Sequence, residues 1–319
     1  MNVLQLVTTE SPFFTQQVRA LEKNGVSCTT VSLPARGGER RSRSSYLRFY
    51  ARILEESLGD YDVVHANYGL VGLLALAQPK RPVVLSLWGS EIMGHAEWLD
   101  EVSALAARRS DAVVAPSEAV SEHLECSHSV VPFGIDASRF QPTSRAAARD
   151  ELGWDRDERV VLFPYDPDRE VKNHPLAERV VERVPQDVTL KAVYDAPHED
   201  VPTYMNASDA VLVTSRRESG PMVVKEAAMC NVPVVATDVG FVAESLDGVA
   251  HSRVCDAEDE LVEGLASVLA ADERSDGREQ LEATSLEQMG ERLVDVYEDV
   301  LERSADRATA DRPSGRADA

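Results

Sequence analysis

Two glutamates eight positions apart, Glu218 and Glu226, bracket an almost wholly apolar run in RESGPMVVKEAAMCNVPVVATDVG, residues 217–240, where the only charge between them is Lys225. A carboxylate on an apolar helix is costly without a cation or a hydroxyl-rich partner. Lys225 is badly placed to serve Glu226, because adjacent helical residues do not face each other. Gly220 and Pro221 read as a helix start, with Pro221 at the first helical position where its missing N–H costs nothing. Asn231 and Pro233 read as a stop. The spacing therefore predicts a short, buried helix over 221–230 between strands 209–215 and 232–238. Its first free N–H groups, near Met222 and Val223, would form a phosphate site favoured by hydrogen bonds and the helix dipole. Glu226 lies five residues into the helix, roughly 7–8 Å along the axis. Carboxylates on either side of a phosphate site can hold hydroxyls on both sides of a pyrophosphate, the outline of a sugar, two phosphates and a ribose. The plainer alternative is a solvated Glu218 and a Glu226 paired with a cation.

A second stretch supplies positive charge. FPYDPDREVKNHP, residues 163–175, leaves a strand and enters a helix with Arg169 and Lys172 three apart. Two cations at the carboxyl edge of a sheet would neutralise a pyrophosphate, and arginine engages it with a fork of donors. An ordinary solvated turn is the alternative.

The elements that must position these residues read as α/β. Short β-branched runs at 2–8, 27–33, 61–67, 82–88, 111–117 and 128–134 alternate with helical stretches such as 15–24 and 99–109. A polar stretch at 141–159 looks like a linker and a first helix, after which the pattern restarts. Strands follow at 159–165, 188–194, 207–215 and 232–238, with helices at 174–184, 256–271 and 284–303. The expected domains are 1–142 and 143–283, then a helix over 284–303 and a disordered tail over 304–319, which has almost nothing to bury.

Composition narrows the setting. The 319 residues, 43% hydrophobic and 28% charged, fit two globular domains. No run approaches the ~20 apolar residues of a membrane span, and the start MNVLQLVTTESPFF lacks signal-peptide features. A cytoplasmic protein is expected. Cys28, Cys126, Cys230 and Cys255 are scattered, which fits a reducing compartment and argues against a zinc cluster. Against 55 acidic residues stand 33 basic ones, of which only Lys23, Lys80, Lys172, Lys191 and Lys225 are lysines. Such an acidic surface suits a cytosol of very high salt, although it also occurs in merely acidic proteins. It disfavours nucleic acid as a partner. ARGGERRSRSSYLRFYAR, residues 35–52, breaks the acidic rule with Arg36, Arg40, Arg41, Arg43, Arg48 and Arg52 against Glu39, interleaved with Tyr46, Phe49 and Tyr50. This stretch is either a peripheral contact for an anionic membrane or phosphorylated acceptor, or a basic loop running into a helix.

ESGPMVVKEAAMCNVPVVATDVG resembles the E-x7-E signature of glycosyltransferase family 4, the retaining sugar-nucleotide transferases of GT-B fold. DVVHANYGLVGLLAL (62–76), WGSE (88–91), SDAVVAPSEAVSEHL (110–124), VVPFGIDASRF (130–140) and DPDREVKNHPLA (166–177) fall in that family's order. The resemblance implies two Rossmann-like domains facing each other across a cleft, with a C-terminal helix crossing back to the first. It implies that Arg169 and Lys172 stabilise a departing diphosphate and that Glu226 binds the ribose. Glu218 would hold the donor sugar with Ser219, Gly220, Pro221, Met222 and Val223. It further implies transfer from a UDP- or GDP-sugar to a lipid-linked or polysaccharide acceptor, without metal or other cofactor, in polysaccharide or glycolipid biosynthesis at the inner face of a membrane. Departures fall on the acceptor side. The glycine pair after the first strand is replaced by TTESPFF, and the family's histidine and aspartate are Trp88 and Glu91. The acceptor-side candidates are therefore Trp88, Gly89, Ser90 and Glu91, with His65 and His95 as substitutes for the missing histidine. A sugar-nucleotide-binding scaffold that has lost turnover, or a related epimerase, would be the other readings.

Overall fold

Alternation of β-branched strands with amphipathic helices produces two separate parallel sheets. The computed structural model describes residues 1–33, 43–93 and 96–310. The chain divides into two units, one of 1–132 joined by the segment from Glu287 onward, the other Phe133–Leu286. The division falls at Pro132, ahead of the polar stretch where a boundary was expected. Residues from Phe133 onward already serve the second unit: Phe140 is in its core, and Ile135 bridges Ser285.

In the first unit, strands β1 (Asn2–Val7), β2 (Ser27–Ser32), β3 (Val63–Asn67), β4 (Val83–Ser86), β5 (Ala112–Ala115) and β6 (Ser129–Val130) form a parallel sheet in the order β2-β1-β3-β4-β5-β6. The helices between them are α1 (Pro12–Lys23), α2 (Arg43–Glu56), α3 (Gly69–Leu76), α4 (Glu97–Arg109) and α5 (Glu118–Ser121). α1 begins earlier than helical periodicity suggests, because Ser11 caps it by accepting from the Phe14 N–H at 3.2 Å and Pro12 opens the first turn. α3, GLVGLLAL, is apolar all round and gives no amphipathic signal.

The second unit holds α6 (Arg145–Leu152), β7 (Val160–Phe163), α7 (His174–Arg183), β8 (Thr189–Ala192), α8 (Val201–Ala207), β9 (Ala210–Val213), α9 (Met222–Met229), β10 (Val234–Thr237), α10 (Val242–Leu246), β11 (Arg253–Cys255), α11 (Glu258–Ala271) and α12 (Gly277–Gln280). Its sheet runs β11-β10-β9-β7-β8, all parallel. β11 was not expected; three residues with an arginine carry no readable period.

The last helix, α13 (Leu286–Ala310), groups with the first unit. It runs beyond Arg303, where a disordered tail was expected to begin; in SADRATA three alanines and an arginine favour helix. Residues 311–319 lie outside the described residues. Tyr297 on α13 is wholly buried. Its hydroxyl sits 2.6 Å from His65 Nδ1 and accepts from Gln5 Nε2 at 3.2 Å. His65 Nε2 lies 2.7 Å from Ser86 Oγ. Asn67 donates to Gln5 and accepts from Gln17, extending the chain through the sheet.

Candidate functional site

β7 and β9 are adjacent in the second sheet, so the loops leaving their carboxyl ends lie side by side. That adjacency joins the two sequence stretches. After β7 the chain makes a turn in which Asp166 accepts from the Asp168 and Arg169 N–H groups, followed by a 3-10 turn over Glu170–Lys172. Asn173 ends it in the left-handed region at φ 55°. Thr214, just past β9, donates to the carbonyls of Lys172 and Asn173, both at 3.1 Å, and the Arg216 N–H donates to Val171 O. These bonds stitch one loop to the other.

Lys172 is 4% exposed, and its ammonium donates to Glu218 Oε1. Ser215 Oγ donates to the same oxygen at 2.9 Å. The Lys172 Nζ also sits 3.7 Å from the centre of the Tyr165 ring. Burial lowers the Lys172 pKa, with Glu218 opposing the shift. Arg169 is exposed beside this pair and has no ion pair among the described residues. The structure thus brings Arg169, Lys172 and Glu218 together.

Glu226 lies on α9, and its carboxylate makes no hydrogen bond or ion pair among the described residues. Burial pushes its pKa up to about 7, with Arg139 pulling the other way. Lys225 turns elsewhere, donating to Phe133 O at 3.3 Å and lying 4.6 Å from the centre of the Phe241 ring. Burial brings its pKa down to about 8. Pro221 occupies the N-cap rather than the first helical position, so α9 opens at Met222. The Met222 and Val223 N–H groups that follow have no intrahelical acceptor, whereas the Val224 N–H donates to Pro221 O at 3.0 Å.

Two glycines hold the Ser219–Val223 turn in place. A Cβ on Gly220 would stand 1.8 Å from Phe241 Cε1, and one on Gly240 would meet Ser219 O at 2.7 Å. Gly240 also has φ 60°, which disfavours other residues. The trailing D-V-G thus supports the glutamate loop from beneath, a role that its sequence spacing alone did not show. Tyr165, Thr214, Ser215 and Phe241 were also missed; none stands out by residue type, and only the packing identifies them.

In the first unit, Trp88, Gly89, Ser90 and Glu91 follow β4. Trp88 is half-buried, edge-on to Phe13 at 5.7 Å and to Tyr68 at 6.4 Å. Glu91 is fully buried. One oxygen accepts from the Trp88 N–H at 2.8 Å, and burial lifts its pKa to about 7 against hydrogen bonds from Trp88, Gly69 and Ser90. Through the Trp88 N–H it braces the β4 loop, and its other oxygen, Oε2, makes no hydrogen bond among the described residues. His65 is a core residue, fully buried among Tyr297 and Ser86. His95 and Arg36, Arg40 and Arg41 lie outside the described residues. Along α2 the aromatic side chains turn inward: Phe49 is buried, and Tyr50 donates to Ala77 O at 2.8 Å. Outward lie Leu47, Ala51 and Leu54, with Leu58 exposed in the turn after the helix, flanked by exposed Arg48 and Arg52.

The family model described as "Glycosyltransferase Family 4" matches residues 4–139, and the one described as "Glycosyl transferases group 1" matches 187–283, which includes both glutamates. The chain belongs to the family-4 glycosyltransferases. Among curated relatives of this glycosyltransferase is a lipopolysaccharide core biosynthesis mannosyltransferase, LpsB, of Rhizobium meliloti. It is 28% identical over 65% of this chain and 70% of the relative. A D-inositol 3-phosphate glycosyltransferase of Catenulispora acidiphila is 27% identical over 57% of each chain. Among solved structures, the sucrose-phosphate synthase of Thermosynechococcus elongatus superposes with TM-score 0.81 at 16% identity, covering 95% of this chain and 100% of that one. Anabaena Alr3699/HepE in complex with UDP-glucose gives 0.66 at 17% identity, covering 96% and 100%. The fold of this glycosyltransferase, two parallel α/β units, is that of the GT-B enzymes. No helix among the described residues is long and apolar enough to cross a membrane.

Proposed function

We propose that this glycosyltransferase moves a sugar with retention from a nucleoside diphosphate sugar to a lipid-linked or polysaccharide acceptor, with Arg169 and Lys172 in place of a metal on the leaving diphosphate. The observation that carries the reading is the desolvated Lys172 ammonium paired with Glu218 at the carboxyl edge of β7 and β9. A diphosphate is the ligand that best displaces a carboxylate from such an ammonium, because it brings more charge and can also use the exposed Arg169 and the α9 first turn. Glu218, once released, accepts from donor sugar hydroxyls together with the Ser219–Val223 turn. Glu226, without a protein partner, accepts from the ribose diol. The bond from the sugar to the phosphate oxygen breaks as the acceptor oxygen bonds on the same face, and the departing phosphate oxygen takes the acceptor proton. Stabilising the leaving group is then the main electrostatic contribution, and loss of one such donor costs about 100–1,000-fold in kcat.

The named ligand of the HepE structure makes UDP the first nucleotide to try, with GDP beside it. Calorimetric titration of both into the wild-type protein and Lys172→Ala tests the reading. One nucleotide should bind wild type and fail to bind the variant; binding of neither would favour a scaffold without turnover. Chelation of divalent metal should leave transfer unchanged, and metal-dependent transfer would overturn the role given to the two cations. The acceptor-side residues Trp88, Gly89 and Ser90 are assigned to acceptor contact, with Glu91 holding their loop. The exposed α2 face supports a peripheral stand on the cytoplasmic surface of an anionic membrane. The excess of acidic residues supports a salt-rich cytosol, so stability should rise between 0.1 and 2 M KCl; a Tm insensitive to salt would refute this.

A further inference from the structure

Lys172 has a second neighbour that the donor-site reading leaves without a task. The Tyr165 ring lies under its ammonium with 3.7 Å from Nζ to the ring centre, and is itself wedged edge-on against Phe163 at 5.6 Å. Phe163 is fully buried and packs on His174 at 4.9 Å, so the tyrosine stands on a rigid base at the end of β7. The Tyr165 hydroxyl is buried beside Ser215 without a well-formed hydrogen bond. Ser215 donates to Glu218 instead. The ring face, rather than the hydroxyl, is therefore the part of Tyr165 in use.

We infer that Tyr165 is a positioning residue whose ring face holds the Lys172 ammonium at the diphosphate position, independently of Glu218. The inference rests on the donor-site reading for its consequence in catalysis, but the seat itself exists in the unliganded protein. Lys172 has its backbone fixed by Thr214 and its charge shared between a carboxylate and an aromatic face. When a diphosphate arrives, two anionic groups compete for one ammonium and Glu218 yields. A four-carbon side chain with one anchor removed could swing with the departing carboxylate. The quadrupole of the ring is a neutral anchor that the diphosphate does not repel, and it acts most strongly on a cation removed from water. Charged groups facing the ammonium are Glu218, which stabilises it, and Arg169, which opposes it; the charges of Glu218, Glu226 and Arg169 also reach Tyr165.

The test compares Tyr165→Phe, which keeps the ring, with Tyr165→Leu, which removes it, in the full chain. Five lysines make the side-chain nitrogens individually assignable by 15N NMR, with Lys172→Arg giving the assignment. In the unliganded protein the Lys172 deprotonation midpoint should move to lower pH in Tyr165→Leu and stay in place in Tyr165→Phe. With UDP as the probe, affinity at neutral pH should fall about tenfold in Tyr165→Leu only. A Lys172 midpoint unchanged in a folded Tyr165→Leu would overturn the inference, as would equal damage in Tyr165→Phe. A midpoint shift in Tyr165→Leu together with wild-type protein that binds no nucleotide would instead count against the donor site and leave the seat standing.

Discussion

Glu226 gives the proposed donor site a pH dependence that can be calculated. Its pKa is about 7 because burial disfavours the charge more than Arg139 supports it. A ribose diol donates two hydrogen bonds, which an ionised carboxylate accepts and a protonated one does not. Binding therefore selects the ionised form, and affinity should follow its population. That population rises from roughly a tenth at pH 6 to roughly nine tenths at pH 8, so affinity should strengthen about tenfold, or about 1.4 kcal/mol. Because one unit of pKa is the whole working range, the midpoint matters more than the amplitude. Calorimetry from pH 6 to 8 in wild type and Glu226→Gln checks this. Any titration of the nucleotide's own phosphate is common to both proteins and cancels in the difference. The glutamine variant, which can accept one hydrogen bond at every pH, should bind weakly and without that slope. Parallel pH profiles in the two proteins would refute the ribose assignment, and a slope of opposite sign would mean that the protonated carboxyl is the binding form.

His65 should make the first unit acid-sensitive. Full burial holds its pKa near 3 against 6.5 for the free side chain, so its contribution is intact above pH 6.5 and is lost as pH falls from there towards 3. At pH 5 the loss is about 2 kcal/mol, and a urea series on His65→Asn should show a correspondingly flatter dependence between pH 7 and 5. Gly220→Ala drives a methyl into Phe241, so UDP affinity should drop at least tenfold while the far-ultraviolet spectrum is retained; wild-type affinity would show that the turn is not the phosphate site. Leu47→Glu with Leu58→Glu should abolish co-sedimentation with phosphatidylglycerol vesicles, since these side chains, on α2 and in the turn that follows it, are 70% and 82% exposed. Unchanged co-sedimentation would remove α2 from any membrane contact.

Much of the proposed donor site stands out in the sequence because its residues carry charge where the chain is otherwise apolar. Glu218 and Glu226 stand out against the run between them, and Lys172 stands out among five lysines. The parallel α/β class was equally plain in VVLF and AVLV, whose continuous apolar character marks strands covered on both faces. What escaped was whatever depends on neighbours distant in sequence. Tyr165 looks like any residue in a turn until Lys172 is laid across it. Phe49 and Tyr50 sit among arginines and look exposed, yet the helical period turns Phe49 into the core and leaves Leu47 and Leu54 outside. His65, a candidate for acceptor chemistry by residue type, is spent on the inner polar chain because Tyr297, 232 positions away, needs its ring nitrogen.

That last contact has a bearing on how the protein is made. The sheet holding Gln5 and His65 emerges early from the ribosome, whereas Tyr297 arrives only after all of Phe133–Leu286 has been translated. Until then the nascent first unit carries an imidazole and an amide in its interior with no phenol to meet them, and Gly290 has not yet packed against Ala20 and Asn24. The second unit, contiguous in sequence, has every strand it needs by Leu286. The order of synthesis therefore favours completing the later-encoded unit first and closing the earlier one with the final helix. A circular permutant that joins the segment from Glu287 onward ahead of β1 would reverse that order while keeping the residues of each unit together.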